Sequence, residues 1–503
     1  MSGVHVLGTS AGAPSRGGHW QGEWCQLSLS ASATLPRFSK RQPVRAATDR
    51  PNILLINCDD LGYGDVGCYG STKHTTPHID RLAADGMRLT DFYMASPVCS
   101  ASRSALMTGC YPQRVGLGTG DKGGVVLFPG DPVGLNPKET TIATLLKAQG
   151  YATQLVGKWH LGDQPEFLPT KHGFDHYYGL PYSNDMGRQA GREDRWPPLP
   201  LLRDEEVIQA QPDQEGLTER YVEESVRFLR ENADQPFFLY LAHMHVHLPL
   251  YAAPRFMRES HNGPYGACVE AIDWSMGVLL DELQRLSLQD NTIVLFTSDN
   301  GSRTTEGGSN DPLRGAKAST WEGGMRLPLI ARWPGQITAG SICEELTTSM
   351  DLLPTLARMA GTEEPQDRII DGRNIIDLLR GVPGAITPHE NFYYYWKDSL
   401  HAVRSGQWKL HVRQNRDSEE VLELYDLQAD VGESTDVSAQ HADVVEGLLL
   451  IVARAKAELG CAASGVAGSA VRPCGRVETP EALTTYDPDH PYIIALYDLT
   501  ESG

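Results

Sequence analysis

The stretch "NILLINCDD", residues 52–60, is an apolar run that ends in two aspartates. A short, uninterrupted apolar run is typical of a strand buried on both faces, as in a parallel sheet covered by helices. Three further runs of this kind follow, "YATQLVG" at 151–157, "PFFLYLA" at 236–242 and "NTIVLFTS" at 291–298. Helical patterns separate these runs, so the sequence predicts an α/β fold with a large mixed, mostly parallel sheet sandwiched by helices.

The pattern changes near residue 387. Segments 391–396, 401–412 and 422–427 alternate apolar and polar residues, as antiparallel strands do when one face is covered. A long amphipathic helix is predicted at 444–459. We therefore predict a disordered leader or degenerate targeting segment at 1–49, a first domain at 50–386 and a smaller C-terminal α+β domain with an antiparallel sheet at 387–503.

Composition limits the possible functions. The formal net charge of −20 over 503 residues argues against a nucleic-acid partner, because a phosphate backbone needs clustered Lys and Arg. No apolar run approaches the roughly 20 residues that span a bilayer, and residues 1–49 contain no clear secretory signal. The nine cysteines lack CxxC spacing, which argues against a zinc ribbon, although Cys461 and Cys474 are candidates for one disulfide.

Polar side chains follow each of the four buried runs. They are Asp59 and Asp60, then Lys158 and His160, then His243, His245 and His247, and finally Asp299 and Asn300. In open parallel sheets the ligand crevice lies beyond the carboxyl ends of the strands. We therefore expect the four groups to converge at one edge of the sheet.

The acidic members of this set offer hard oxygen ligands. Asp59, Asp60, Asp299 and Asn300 suit Ca²⁺ or Mg²⁺ better than zinc, and adjacent carboxylates repel unless a cation neutralises them. The alternative is that both pairs are ordinary turns after a strand. A zinc site on the three histidines of "HMHVH", residues 243–247, is a further alternative.

Basic residues form a second set. Its members are Arg103, Lys158, His160, His247 and Lys317. A single Lys or His is usually solvated or satisfied by neighbours, but five around a metal, in a chain of strongly negative charge, predict a pocket for a dense anion.

The stretch "SPVCSASRSALMTG", residues 96–109, predicts the start of a helix. Ser96 fits the N-cap, Pro97 fits the first helical position, and Cys99 and Arg103 then share one face. The free N–H groups of the first turn favour an anion near Cys99. Two alternatives stay open at this point, a small buried cysteine and a thiolate nucleophile.

The motif "CSASRSALMTG" resembles the signature of the sulfatases, of the arylsulfatase A type, in which the cysteine is oxidised to formylglycine. The resemblance extends in order over residues 51–440 and includes "GKWHLG", "GLPYSND", "FTSDNG" and "LRGAKASTWEGGMRLP". It implies an alkaline-phosphatase-like core in a catalytic domain at 50–386, hydrolysis of sulfate esters and a periplasmic or secreted location. One departure is Ala101, where the signature usually has proline.

The resemblance also implies roles for individual residues. Asp59, Asp60, Asp299 and Asn300 match Ca²⁺ ligands, in preference to Mg²⁺, and Cys99 matches the formylglycine precursor, which also contacts the metal. Asp299 is the candidate base and Arg103 steadies the hydrated aldehyde. Sulfate binding and proton transfer fall to Lys158, His160, Ser183, His247 and Lys317.

The resemblance leaves the substrate open among small-molecule and glycan sulfate esters, and it implies a formylglycine-generating maturation enzyme as a partner. A phosphonate monoester or phosphodiester hydrolase of the same superfamily is one alternative. A catalytically silent anion-binding homologue with unconverted Cys99 is another.

Overall fold

The structure, a computed structural model, describes residues 50–413 and 421–503. The predicted leader at 1–49 lies outside these residues. The strands of the described part are, in chain order, β1 (Asn52–Cys58), β2 (Met87–Tyr93), β3 (Val133–Gly134), β4 (Ala152–Gly157), β5 (His176–Gly179), β6 (Pro200–Arg203), β7 (Glu206–Ala210), β8 (Phe237–Ala242), β9 (Thr292–Ser298), β10 (Arg326–Arg332), β11 (Ser341–Cys343), β12 (Thr347–Thr348), β13 (Phe392–Trp396), β14 (Ser399–Ser405), β15 (Trp408–His411), β16 (Glu423–Asp426) and β17 (Gly475–Arg476).

The α-helices of the same part are α1 (Pro77–Ala84), α2 (Cys99–Thr108), α3 (Ile142–Ala148), α4 (Leu217–Glu231), α5 (Pro254–Glu259), α6 (Gly263–Arg285), α7 (Glu322–Met325), α8 (Leu352–Met359), α9 (Ile376–Leu379) and α10 (Ala442–Leu459). None of them is long and apolar enough to cross a membrane.

The large sheet has eleven strands in the order β11-β2-β10-β9-β1-β8-β4-β5-β6-β7, with β12 paired to β2. The central run β9-β1-β8-β4-β5 is parallel throughout. Antiparallel pairing occurs where β10 meets β9 and β2, and where β6 meets β5 and β7. The predicted mixed, mostly parallel sheet is confirmed.

Strand β1 lies at the centre of this sheet and is buried on both faces. Ile53 and Leu55 belong to one hydrophobic core, beneath α2, α3 and α8, whereas Leu54 and Ile56 belong to the other, beneath α1, α4 and α6. Alternate side chains of a strand point to opposite faces, so an uninterrupted apolar run is required where both faces are covered.

A second sheet, β13-β14-β15-β16, is antiparallel throughout, and α10 packs beside it in a third hydrophobic core. The smaller antiparallel sheet and the long helix were both predicted from the alternating and amphipathic patterns. The exact domain boundary at 386/387 stays a prediction.

A buried group of ionisable side chains joins the small sheet to the segment that begins α7. We call Glu322, Lys409, His411 and Glu433 the inter-sheet cluster. Lys409 Nζ donates to Glu322 Oε1 and to the Thr320 carbonyl, both at 2.9 Å, and lies 2.8 Å from Glu433 Oε1. His411 Nε2 lies 3.0 Å from the same oxygen of Glu433. This cluster fixes the end of the loop that precedes α7.

Three local expectations differ from the structure. Strand β2 follows α1 directly and was not predicted. Cys461 and Cys474 are free thiols rather than a disulfide, and all other cysteines of the described residues are also free. The helix expected from Ser96 and Pro97 begins two residues later, at Cys99, with Val98 extended as its N-cap. The Pro97 carbonyl accepts a hydrogen bond from the Ala318 N–H (3.0 Å), which holds this turn against another loop.

Candidate active site

The four polar strand ends meet at one edge of the large sheet. Strands β9, β1, β8 and β4 are parallel neighbours, and their backbone pairing continues past the strand ends. Asp59 N donates to the His245 carbonyl (2.8 Å), Asp299 N to the Cys58 carbonyl (3.0 Å) and Lys158 N to the Ala242 carbonyl (2.8 Å). The sheet itself therefore positions the polar side chains that follow.

Three fully buried carboxylates face one another there. We call Asp59, Asp60, Asp299, Lys158 and Lys317 the strand-end cluster. Lys158 Nζ donates to Asp59 Oδ2 (2.5 Å), and Lys317 Nζ donates to Asp60 Oδ2 (2.8 Å). Burial and the nearby charge of Asp59 raise the pKa of Asp299 to about 6, whereas Lys317 lowers the pKa of Asp60 in spite of burial.

The donor set of this cluster fits a hard cation. Ligand atoms of Asp59, Asp60, Cys99 and His247 all lie within 4.8 Å of one another. Asn300 adds an amide whose Nδ2 donates to Asp60 Oδ1 (2.7 Å), while its buried Oδ1 has no hydrogen-bond partner among the described residues. Carboxylate and amide oxygens are the ligands of Ca²⁺ and Mg²⁺.

The zinc alternative on the three histidines is wrong. His243 Nε2 lies 3.0 Å from the hydroxyl of Ser275, and neither ring nitrogen of His245 has a hydrogen-bond partner within residues 50–413 and 421–503. Within the described residues only His247 belongs to a group that could hold a metal, and its companions there are Asp59, Asp60 and Cys99. The segment after β8 is a series of turns, so its alternate side chains do not share a face.

Cys99 is the first residue of α2 and lies beside the carboxylates. Its Sγ donates to Asp59 Oδ1 (3.6 Å). Burial raises the pKa of the Cys99 thiol well above its usual range, although Lys158 and Lys317 act in the opposite direction. The thiol is therefore protonated at neutral pH, which argues against the alternative of a thiolate nucleophile.

Arg103, one turn further along α2, holds the acids in place. Its Nε donates to Asp299 Oδ2 (2.9 Å), and Nη2 lies 2.8 Å from the same oxygen and 3.7 Å from Asp59 Oδ2. Nη1 donates to the Lys158 carbonyl (3.0 Å). The guanidinium is fully buried and neutralises charge between two strand ends.

The remaining predicted residues lie around a cavity of about 500 Å³. Its wall includes Cys99, His160, Ser183, His247 and Lys317. The Ser183 hydroxyl accepts from Lys158 Nζ (2.7 Å), which connects the wall to the buried carboxylates beneath. The structure thus brings all the predicted site residues together.

The two histidines of the cavity are neutral. Burial and the charge of Lys317 lower the pKa of His247 to about 4, and burial with Lys158 holds the pKa of His160 well below its usual range. His160 Nε2 lies 2.9 Å from the Leu127 carbonyl, and His247 Nδ1 lies 2.6 Å from the Leu248 carbonyl. Because a carbonyl only accepts, these nitrogens carry the protons, and the other nitrogen of each ring is free to accept one.

Part of the cavity wall comes from residues to which the sequence assigned no individual role. Phe128 and Trp196 stack with ring centroids 5.4 Å apart, and Asp185 and Arg303 lie nearby. Residues 502–503 also line the cavity. Asp185 is part of the quoted stretch "GLPYSND", but the last residues of the chain carry no periodicity or motif that indicates their position.

Comparison with known proteins shows the family to which the chain belongs. The sequence model of the sulfatase family matches residues 51–362, and that of the C-terminal part of N-sulphoglucosamine sulphohydrolase matches 316–454. Steryl-sulfatase of Rattus norvegicus is 40% identical over 436 residues, covering 72% of this chain and 75% of that protein. Arylsulfatase A of Homo sapiens is 40% identical over 386 residues, covering 72% and 74%.

Solved structures show the same likeness. PsFucS1 sulfatase from Pseudoalteromonas sp. has a TM-score of 0.72 and 29% identity, covering 80% of this chain and 89% of that chain. Ps i-CgsB, solved in complex with k-i-k-neocarrahexaose, has a TM-score of 0.71 and 31% identity, covering 80% and 92%. The phosphonate monoester hydrolase of Agrobacterium radiobacter, 20% identical with a TM-score of 0.59, shares the fold. The chain belongs to the sulfatase family and is a sulfuric ester hydrolase.

Proposed function

We propose that the protein hydrolyses small-molecule or glycan sulfate esters with a nucleophile made from Cys99 by oxidation to formylglycine, at a site that holds Ca²⁺. The position of Cys99 carries this proposal. The residue starts α2 between the three buried carboxylates and the cavity, and its own thiol is held protonated. A maturation enzyme is needed for the conversion.

The metal would be held by Asp59, Asp60, Asp299 and Asn300, together with the group derived from Cys99. The unpartnered Asn300 Oδ1 supports this assignment, since a buried acceptor without a donor is costly and a cation removes the cost. We favour Ca²⁺ over Mg²⁺ because several protein oxygens converge, whereas Mg²⁺ usually retains waters. A bound cation would favour the ionised form of a hydroxyl that it holds.

The sulfate group would be bound by the basic side chains. Lys158 and Lys317 each hold one carboxylate and have further N–H groups for sulfate oxygens. Ser183 lies 2.7 Å from Lys158 Nζ, and His160 and His247 line the same cavity. Fixed cations around the developing charge stabilise the transition state.

Oxidised Cys99 would supply a hydrated aldehyde, in which one hydroxyl attacks sulfur and the other later expels sulfate as the aldehyde re-forms. Asp299 would accept the proton of the attacking hydroxyl. The free Nδ1 of His160 would take the proton of the second hydroxyl. Serine at position 99 would lack that second hydroxyl and so could not release sulfate in this way.

The leaving alcohol needs a proton, which His247 would give with Lys317 beside it. Nε2 of His247 is available because Nδ1 is bound to the Leu248 carbonyl. A bound sulfate ester places negative charge near this ring, which raises the pKa of His247 and favours the protonated form.

Mass spectrometry of the peptide that contains Cys99 tests the proposal, since conversion to the aldehyde lowers its mass by about 18 Da. We expect the converted protein to hydrolyse 4-nitrophenyl sulfate faster than a phenyl phosphonate monoester. An intact thiol would indicate the silent anion-binding homologue instead. Faster turnover of the phosphonate would indicate the other hydrolase class.

A further inference from the structure

We propose that residues 498–503 form the wall of the active-site cavity on the side of the leaving alcohol and thereby limit the size of the alcohol that the enzyme accepts. This inference rests on the proposed sulfatase activity, because it concerns the substrate of the same site. The segment is distant in sequence from every residue of the strand-end cluster, and the structure places its end beside His247.

The segment is anchored by Tyr497, which is buried. The Tyr497 hydroxyl donates to the Pro212 carbonyl (2.7 Å), its N–H donates to the Arg188 carbonyl (3.1 Å), and its carbonyl accepts from Ala190 N–H (2.9 Å). The next residue, Asp498, accepts from the Tyr251 hydroxyl (2.9 Å). These bonds attach the segment to the loop that also supplies Asp185, Met186 and Trp196 to the cavity.

Further hydrogen bonds hold the end of the segment from two sides. Gln189 Nε2 donates to the Leu499 carbonyl (3.4 Å) and to the Glu501 carbonyl (3.3 Å). On the other side, Arg303 Nη1 donates to the Ser502 carbonyl (3.0 Å). The segment therefore spans between two loops that surround the cavity.

The end of the segment packs on the ring of His247. The Gly503 N–H donates to Asp185 Oδ2 (3.3 Å). A Cβ placed on Gly503 would lie only 2.0 Å from Nε2 and Cε1 of His247, so the Gly503 backbone is in direct contact with this ring. Nε2 is the atom assigned to the leaving alcohol. The alcohol must therefore lie next to residues 502–503.

Another part of the cavity wall is apolar. It is formed by the stacked rings of Phe128 and Trp196, which are 5.4 Å apart, with Val126 and Met186 beside them. The aromatic rings and the backbone of residues 502–503 line the same cavity, and an aromatic surface suits a ring-shaped alcohol. A fused polycyclic alcohol or an oligosaccharide would have to displace residues 499–503. The geometry thus favours sulfate esters of compact, single-ring alcohols.

The test compares 4-nitrophenyl sulfate with a four-ring steryl sulfate in wild type and in a variant that ends after Asp498, which keeps the Tyr497 anchor. We expect the ratio of kcat/KM for the steryl sulfate to kcat/KM for the nitrophenyl ester to rise by about tenfold or more. The Gln189→Ala variant keeps the full length and loosens the segment, and it should change the ratio in the same direction by less.

An unchanged ratio in both variants, or equal changes for both substrates, would overturn the inference. Wild type that hydrolyses neither ester even when Cys99 is converted would instead count against the proposed function. Wild type that hydrolyses the small ester with a ratio insensitive to both variants would overturn the size limit alone.

Discussion

The strand-end cluster and the inter-sheet cluster are both buried and both mix acids with bases, yet they differ in what lies beside them. Both oxygens of Glu322 and of Glu433 have hydrogen-bond partners in the inter-sheet cluster. Beside the strand-end cluster, Asn300 Oδ1 and His160 Nδ1 have no partner among the described residues, and a cavity of about 500 Å³ lies above. His411 Nδ1 in the inter-sheet cluster also lacks a partner among the described residues, so the difference between the clusters is the cavity. A cluster enclosed by packing stabilises the fold, whereas one that adjoins a cavity is suited to bind a ligand.

Removing the nucleophile should have the largest effect and leave the fold unchanged. Cys99→Ala deletes the precursor of the aldehyde, so we expect kcat on 4-nitrophenyl sulfate to fall by about 10⁴-fold or more. Thermal unfolding should change little, because the site is not closed around this side chain. The matched control is Cys474→Ala, which removes a thiol outside the site and should retain turnover. Appreciable hydrolysis by Cys99→Ala would contradict the assigned role.

Removing one carboxylate tests whether the strand-end cluster binds a cation. Asp299→Ala should weaken calcium binding and lower kcat by about 10²- to 10³-fold, since both a proposed ligand and the partner of Arg103 are lost. Isothermal calorimetry of calcium binding measures the first effect independently of turnover. Unchanged calcium affinity in this variant would show that the ligand assignment is wrong.

Disrupting the inter-sheet cluster should reduce the stability of the fold rather than catalysis. Lys409→Met leaves two buried carboxylates without their shared cation, which we expect to cost about 3–5 kcal/mol in the free energy of unfolding. Urea denaturation measures this loss. The folded fraction should retain calcium binding, because the strand-end carboxylates are unchanged. If Lys409→Met is as stable as wild type, the inter-sheet cluster does not stabilise the fold as we propose.

The smallest expected effect is on the pH dependence of the free energy of unfolding. Burial raises the pKa of Glu433 from its ordinary value to about 7. The folded protein therefore binds more protons than the unfolded chain between these values, and the contribution of Glu433 to stability falls as pH rises through this range. Glu433→Gln does not titrate, so its free energy of unfolding should depend less on pH between about 5 and 7 than that of wild type. Urea denaturation at several pH values measures this dependence. If the free energy of unfolding changes equally with pH in both proteins, the raised pKa of Glu433 is contradicted.

The two clusters also differ in how well their members could be predicted from the sequence. Asp59, Lys158 and Asp299 follow apolar runs, and the rule that parallel strands end at one edge is enough to bring them together. Ser183 lies on a loop and was placed only by resemblance to the sulfatases. Lys317 also lies on a loop, and no strand rule positions it, although it was included among the basic residues of the predicted anion pocket. The inter-sheet cluster was not predicted at all, since Lys409 and Glu322 meet through packing between distant segments.

The start of α2 is a further feature that the sequence predicts only in part. Ser96 and Pro97 have the residue types that favour an N-cap and a first helical position, but the Pro97 carbonyl is bound to Ala318. A contact more than 200 residues away in sequence therefore shifts the helix start to Cys99. Local propensity predicts that a helix begins here, and tertiary contacts decide at which residue.

The side chains of β1 pack into a separate core on each face of the sheet. A shift of the strand by one residue would turn every side chain towards the wrong core, so the register of β1 is fixed. The positions of Asp59 and Asp60, which follow the strand directly, are fixed with it. The parts proposed to contact the alcohol, by contrast, come from loops and from residues 502–503. Substitutions in those parts can change which ester is accepted without disturbing the reacting atoms. The carboxylates proposed for the reaction are thus supported by the sheet, whereas most of the parts proposed to contact the alcohol lie on loops, where exchange of residues would change the range of accepted esters.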